Sequence, residues 1–264
     1  MQSKEVLNQL SPYQQGKQTD DIKKEFNLQK IVKLASNENP YGYSKTLQGE
    51  FLSLNHEFNI YPDGHTADLR SALAKKFNIV EDQLVFGSGS DEIIQMICRA
   101  YLYPGASTVM PDPTFPQFKH NALIEGAEVK GIPTIDGHHD LNGMLGAIDD
   151  QTTVVWLCTP DNPTGTIIRK DEFKDFMDQC PKDVLVVLDQ AYFEFVEKEN
   201  RLNDMENLAK YDNLIILRTF SKAYGLAGIR VGYAITHGDI ARKLNIVRGP
   251  FNTTSIAQKA ALMA

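Results

Sequence analysis

From residue 84 onward, apolar residues come in short separated runs at 84–86, 108–110, 154–158, 184–188, 214–217 and 231–235. Runs this short and this rich in Val, Ile and Leu predict strands covered on both faces, as in a largely parallel sheet. Between them the apolar spacing changes to three and four. Ile93, Ile94, Ile97 and Tyr101 share one helical face, and Phe173, Phe176 and Met177 share another ahead of Pro181, so helices are expected to alternate with the strands. Residues 1–35 are polar with little periodicity and a turn-like Leu10-Ser11-Pro12-Tyr13, which predicts an arm with a short helix. An amphipathic pattern over 254–264 predicts a helix still running at the last residue.

This alternation gives meaning to the residues directly after each run, because open α/β sheets gather ligands beyond the carboxyl ends of their strands. Gly87-Ser88-Gly89-Ser90-Asp91-Glu92 joins the first run to the helix of Ile93 and Ile97. Glycines there let backbone amides approach an anion, and the helix start adds partial positive charge. One phosphate suits this loop, whereas the missing last glycine of GxGxxG argues against a dinucleotide. An N-cap box of Ser88 with Asp91 is the purely structural alternative. In Thr159-Pro160-Asp161-Asn162-Pro163-Thr164-Gly165, two prolines and a glycine fix a loop that presents Asn162 as a rigid amide, or forms an ordinary Asx turn.

Asp189 closes the run 184–188, and a carboxylate in that position needs a cation. A protonated pyridine nitrogen is one such cation, and a helix N-cap is the plainer role. Lys222 lies just past the run 214–217, within Thr219-Phe220-Ser221-Lys222-Ala223-Tyr224-Gly225. There its amine can be desolvated and turned on an aldehyde, or remain a solvated loop lysine. Arg230 suits a phosphate dianion or a surface ion pair, and Phe115 suits the face of an aromatic ring or plain core. Taken together, these positions call for a phosphorylated, electron-poor aromatic aldehyde, pyridoxal 5′-phosphate.

Composition narrows the alternatives. The 264 residues are 42% hydrophobic, enough for a sizeable core, and 27 basic against 34 acidic residues give a net charge of −7 with no dense Lys/Arg cluster, which argues against a nucleic-acid partner. Cys98, Cys158 and Cys180 form neither a disulfide framework nor a zinc motif and suit a reducing cytoplasm. No apolar stretch approaches bilayer length, so no membrane partner is expected. His56, His65, His120, His138, His139 and His237 make no metal-ligand set and are assigned to the surface or to turns.

In the order GSGSDE, PDPTF, TPDNPTG, LDQAY, TFSKAYGLAGIRVGY, the chain resembles the fold-type I pyridoxal-phosphate aminotransferases over nearly its whole length. Leu10-Ser11-Pro12-Tyr13 with Gly16-Lys17, the segment Lys33-Leu34-Ala35-Ser36-Asn37-Glu38-Asn39-Pro40-Tyr41-Gly42, and Tyr61-Pro62-Asp63-Gly64 narrow it to the histidinol-phosphate aminotransferases. The resemblance implies an α/β fold: a PLP-transferase large domain over 36–264 with a mostly parallel sheet sandwiched by helices, an arm over 1–35, and a carboxy-terminal small domain that is absent or truncated. That missing domain carries the family's substrate-carboxylate arginine.

Site roles follow from the same resemblance. Lys222 is the Schiff-base residue and proton shuttle, and Asp189 keeps the pyridine nitrogen protonated. Asn162 and Tyr192 bond the phenolic oxygen, and Phe115 stacks on the ring where relatives usually have tyrosine. Amides of Gly89 and Ser90, with Ser221 and Arg230, hold the phosphate, which Tyr61 reaches from the second subunit of a homodimer. Tyr13 and Asn39 fall on the substrate side, and Gln190 replaces a usual glutamate. The implied reaction is L-histidinol phosphate with 2-oxoglutarate giving imidazole acetol phosphate and glutamate, in cytoplasmic histidine biosynthesis. An aromatic-amino-acid aminotransferase, a phospho-amino-acid decarboxylase on the same scaffold, and a truncated non-catalytic cofactor-binding or dimerisation module are the alternatives. A Rossmann oxidoreductase is opposed by the absent fingerprint.

Overall fold

A computed structural model of the chain describes residues 2–12, 16–50 and 59–264. The apolar runs become strands β1 (Leu84–Gly87), β2 (Ser107–Asp112), β4 (Thr152–Cys158), β5 (Leu185–Asp189), β6 (Leu214–Thr219) and β7 (Gly232–Thr236), and Glu128–Pro133 adds β3. Together they make one sheet in the order β1-β7-β6-β5-β4-β2-β3. The sequence pattern does not predict β3. It is the edge strand, half exposed along its length, and its Glu128 and Lys130 leave no continuous apolar run to detect.

Neighbours from β3 to β6 run parallel, whereas β7 is antiparallel to both β6 and β1. The run 231–235 thus departs from the parallel expectation, for a geometric reason. A parallel return needs a crossover of a dozen or more residues, usually a helix. The twelve residues between Thr219 and Gly232 hold no crossover helix, only a 3-10 turn at Ala227–Ile229, and the chain reverses. This reversal places Gly87, Thr219 and Gly232 in register at one end of the sheet. The anion loop, Lys222 and Arg230 thereby meet.

The helices are α1 (Thr19–Phe26), α2 (Lys45–Glu50), α3 (Ala67–Phe77), α4 (Ser90–Tyr101), α5 (Pro116–Ile124), α6 (Leu141–Gly146), α7 (Lys170–Gln179), α8 (Asp204–Lys210), α9 (Gly238–Val247) and α10 (Ser255–Leu262). Alternate strand residues enter two separate cores. Leu84, Phe86, Val186, Leu188, Leu214 and Ile216 pack with residues of α3, α6, α7, α8 and α10. Val85, Trp156, Leu185, Val187, Ile215 and Leu217 pack with α4, α5 and α9. Each fully buried Leu, Ile or Val stabilises the layer by about 1.5–3 kcal/mol, so both faces of the sheet are committed. In the second core Trp156 stacks on Phe118 at 4.6 Å, and Phe118 takes the edge of Phe115 at 5.6 Å. This stack carries Phe115 to the strand ends.

Residues 36–43 cross over the Lys222 loop. Asn39 Nδ2 donates to Ala223 O at 2.9 Å. Gly225, at φ +69°, lets the Gly42 carbonyl pass where any Cβ would collide. Among the described residues, no helix is long and apolar enough to cross a membrane.

Candidate active site

A cleft of about 460 Å³ opens at the carboxyl ends of β4, β5 and β6. Asp189 is the last residue of β5, in register with Cys158 on one side and Leu217 on the other, and is 3% exposed. Among the described residues its carboxylate accepts one hydrogen bond, from the Ala191 amide at 2.9 Å. Burial pushes this acid up to about 7, against the pull of that amide and of the more distant Lys222. Among the described residues no basic side chain forms an ion pair with it.

Lys222 lines the same cleft. Its Nζ donates to Ser36 O at 2.9 Å and lies 5.6 Å from the centre of the Tyr192 ring. Burial pulls the ammonium below its ordinary pKa, more strongly than Asp91 and Glu38 raise it. That raises the share of free amine, which is the nucleophilic form. The Tyr192 hydroxyl accepts from Asn37 Nδ2 at 2.8 Å, and its pKa is raised chiefly by burial.

Asn162 reaches the cleft from a loop organised around Asp161. The buried Asp161 carboxylate accepts from Thr114 Oγ1 at 2.8 Å and Thr164 Oγ1 at 3.0 Å. Burial works to raise it, but His139, Thr114 and Thr164 outweigh burial and hold it below the usual carboxylate range. His139 corrects the assignment of all the histidines to surface or turns. It follows a turn, yet its side chain is 1% exposed, with Nε2 3.4 Å from Asp161 Oδ1 and not aligned as a hydrogen bond. Among the described residues neither ring nitrogen has a hydrogen-bond partner, and Asp161 is a close polar neighbour.

At the other end of the cleft, α4 begins at Ser90 with Gly89 as N-cap at φ +80°, and no side chain caps it. The N-cap box of Ser88 with Asp91 does not form. Glu92 instead reaches back to the Ser88 amide at 2.6 Å, and Asp91 turns to Arg230 at 3.4 Å. Arg230 donates to Ser88 O at 3.1 Å, Ala227 O at 3.2 Å and Ser221 Oγ at 3.3 Å. A Cβ on Gly89 would strike the guanidinium, and one on Gly232 would stand 2.6 Å from Ser90 N. These two glycines let the helix start, the β7 start and Arg230 converge. Backbone amides, a serine hydroxyl and a guanidinium thus converge at a helix start, the donor set that suits an anion. The Arg230–Asp91 pair is half exposed and therefore weak.

Phe115 lines the cleft as well. A buried acid without a cation, an amine of lowered pKa and a helix start with serine and arginine fit a ring that bears a basic nitrogen, an aldehyde and a phosphate. Asn39 lines an adjoining cavity of about 380 Å³ with Tyr192 and Lys222. Tyr61 does not line the cleft of its own chain; it is 78% exposed and stacks on Phe251 at 4.6 Å. Tyr13 lies outside the described residues. Sequence reasoning missed Ser36, Asn37 and Asp91 as individual site residues, although both of their segments carry motifs. Elsewhere, a cleft of about 500 Å³ beside α4, α5 and α9 contains none of these groups.

Residues 29–264 match the family described as aminotransferase class I and II. The chain is 58% identical to histidinol-phosphate aminotransferase 2 of Oceanobacillus iheyensis, over 100% of this chain and 73% of that protein. It is 53% identical to the histidinol-phosphate aminotransferase of Bacillus subtilis (strain 168), over 100% and 74% respectively. Among solved structures it resembles histidinol-phosphate aminotransferase from Sinorhizobium meliloti in complex with pyridoxal-5′-phosphate, at a TM-score of 0.89 and 27% identity, over 98% of this chain and 69% of that one.

Proposed function

The chain belongs to the aminotransferases of class I and II, and on that premise we propose that it exchanges the amino group of L-histidinol phosphate with 2-oxoglutarate in histidine biosynthesis. Its cofactor is pyridoxal 5′-phosphate. The observation that carries the chemistry is Asp189, a buried acid with no cation, in one cleft with the amine of Lys222. The substrates rest on the likeness to relatives of that name.

When bound, pyridoxal phosphate supplies an aldehyde and an electron-accepting ring on which an amino group is carried between two substrates. Ionised Asp189 holds the ring nitrogen protonated, and the pairing relieves the cost of burying its charge. Lys222 Nζ provides the amine and afterwards carries the proton. Asn162 and Tyr192 hydrogen-bond the phenolic oxygen, and Phe115 covers one ring face. The Gly89 and Ser90 amides, Ser221 and Arg230 bind the phosphate, while Tyr13 and Asn39 serve the substrate side.

The same reading treats residues 1–35 as an arm and 36–264 as the cofactor-binding domain of a cytoplasmic homodimer. Val32, Leu34, Tyr41, Ile60 and Tyr61 are each exposed, and the homodimer reading has a second copy cover exposed apolar side chains of this kind. Tyr61 then reaches the phosphate of the partner. Steady-state rates with histidinol phosphate and with phenylalanine test the substrate assignment. A preference for histidinol phosphate of at least about tenfold in kcat/KM is expected, and a preference for phenylalanine overturns it.

A further inference from the structure

Gln190 stands directly after the buried acid of the cleft and is 1% exposed. Its amide is engaged at both ends: Oε1 accepts from Arg218 Nε at 2.9 Å, and Nε2 donates to Asp204 Oδ1 at 3.0 Å. Arg218 closes the ring by pairing with the other Asp204 oxygen. Arg218 also stands 3.7 Å from Glu194, with its guanidinium 3.4 Å from the centre of the Phe193 ring. Both Arg218 and Asp204 are buried. Three elements are joined in this way: the turn after β5, the strand β6 that leads into Lys222, and the start of α8. The main chain repeats the join, with Gln190 N donating to Leu217 O at 3.0 Å and Phe193 N to Gln190 O at 3.1 Å.

A carboxylate would satisfy only one end of this bridge. It accepts from arginine readily, but it has no proton to give Asp204 and would face a like charge at hydrogen-bond distance. The charged and titratable groups around the position among the described residues are Arg218 and Tyr233, which face each other across β6 and β7, Arg201, whose guanidinium lies 4.8 Å from the centre of the Phe193 ring, and Asp204, Glu194 and the adjacent Asp189. One guanidinium there already serves two acids. The amide adds a donor and an acceptor without adding charge.

We propose that Gln190 is a positioning residue for the cofactor site: its two-ended hydrogen bonding locks the turn that follows Asp189 and carries Tyr192 to the strand leading into Lys222. This rests on the cofactor reading of Asp189 and Lys222. The full chain with Gln190→Glu, with Asp204→Asn and with both together tests it. The affinity for pyridoxal phosphate is read from quenching of the sole tryptophan, Trp156, and thermal midpoints are read without cofactor.

Gln190→Glu weakens binding at pH 8 by about tenfold, the order expected for one added like charge facing Asp204. The double variant, in which the asparagine amide donates to the introduced carboxylate, returns to within about twofold of the parent. Parental affinity in Gln190→Glu at pH 8, or a double variant no better than Gln190→Glu alone, overturns the proposal. Should Gln190→Glu not fold, recovery of midpoint and affinity in the double variant supports the proposal, and its failure to recover overturns it. Absence of cofactor binding by the parent counts against the reading of the site instead. The coupling of midpoints across the four proteins then still decides whether Gln190 bridges Arg218 and Asp204.

Discussion

Asp189 and Lys222 are shifted in opposite senses by one cause, burial, and the two shifts make separate predictions. An unfolded chain ionises the Asp189 carboxyl at its ordinary 3.8, the folded chain only at about 7. Folding therefore takes up a proton between those values, and the stability of the ligand-free protein falls as pH rises through them. Asp189→Asn removes that penalty. At pH 8 it is expected to raise the ligand-free melting midpoint by several degrees, for a few kcal/mol relieved at about 2–4 °C each, while weakening cofactor binding at least about tenfold. Melting curves and fluorescence titrations at pH 5 and 8 check both signs. Lys222→Ala is expected to lower single-turnover amino transfer by on the order of 10³ and to leave the fold intact. Asp189, Asn162 and Lys222 were legible as residues of one cleft because each lies at the end of an apolar run or a few residues beyond it. Asn37 and His139 were not, because their roles depend on a chain crossing and a buried partner that no local spacing encodes.

At the scale of elements, the short apolar runs announced β1, β2 and β4 to β7 but neither the direction of β7 nor the charged edge strand β3. The reversal into β7 brings together the groups proposed to hold the phosphate, so its glycines carry more of the site than their local sequence indicates. Gly89, at φ +80° with the Arg230 guanidinium packed where a Cβ would stand, is the sharpest case. Gly89→Ala is expected to cost about 1–3 kcal/mol in stability from backbone strain. By displacing Arg230, it should also weaken competition by inorganic phosphate for the cofactor site. Denaturant unfolding and phosphate inhibition measure the two effects. Unchanged phosphate competition would remove Gly89 and Arg230 from the anion role. The bridge of Gln190, Arg218 and Asp204 belongs to this scale too, and it gives a consequence to a glutamine that the family pattern alone left without one.

For the whole molecule, alternating strand residues fill two cores, and every group assigned to the cofactor within the described chain, Tyr61 excepted, collects at one end of the sheet. That much follows from the α/β alternation and could be read before any coordinates. Tyr61 lies exposed and stacked on Phe251, outside the cleft of its own chain, and the resemblance to the family likewise expects it to serve a second subunit. The homodimer proposed above predicts twice the chain mass in sedimentation at micromolar concentration. It also predicts that Tyr61→Ala keeps that mass while weakening cofactor binding. The most direct test of the chemistry is borohydride reduction of the protein mixed with pyridoxal 5′-phosphate, followed by peptide mass analysis. A stable cofactor-sized adduct on the Lys222 peptide, absent from Lys222→Ala, is expected; no adduct, or an adduct at another lysine alone, would contradict it.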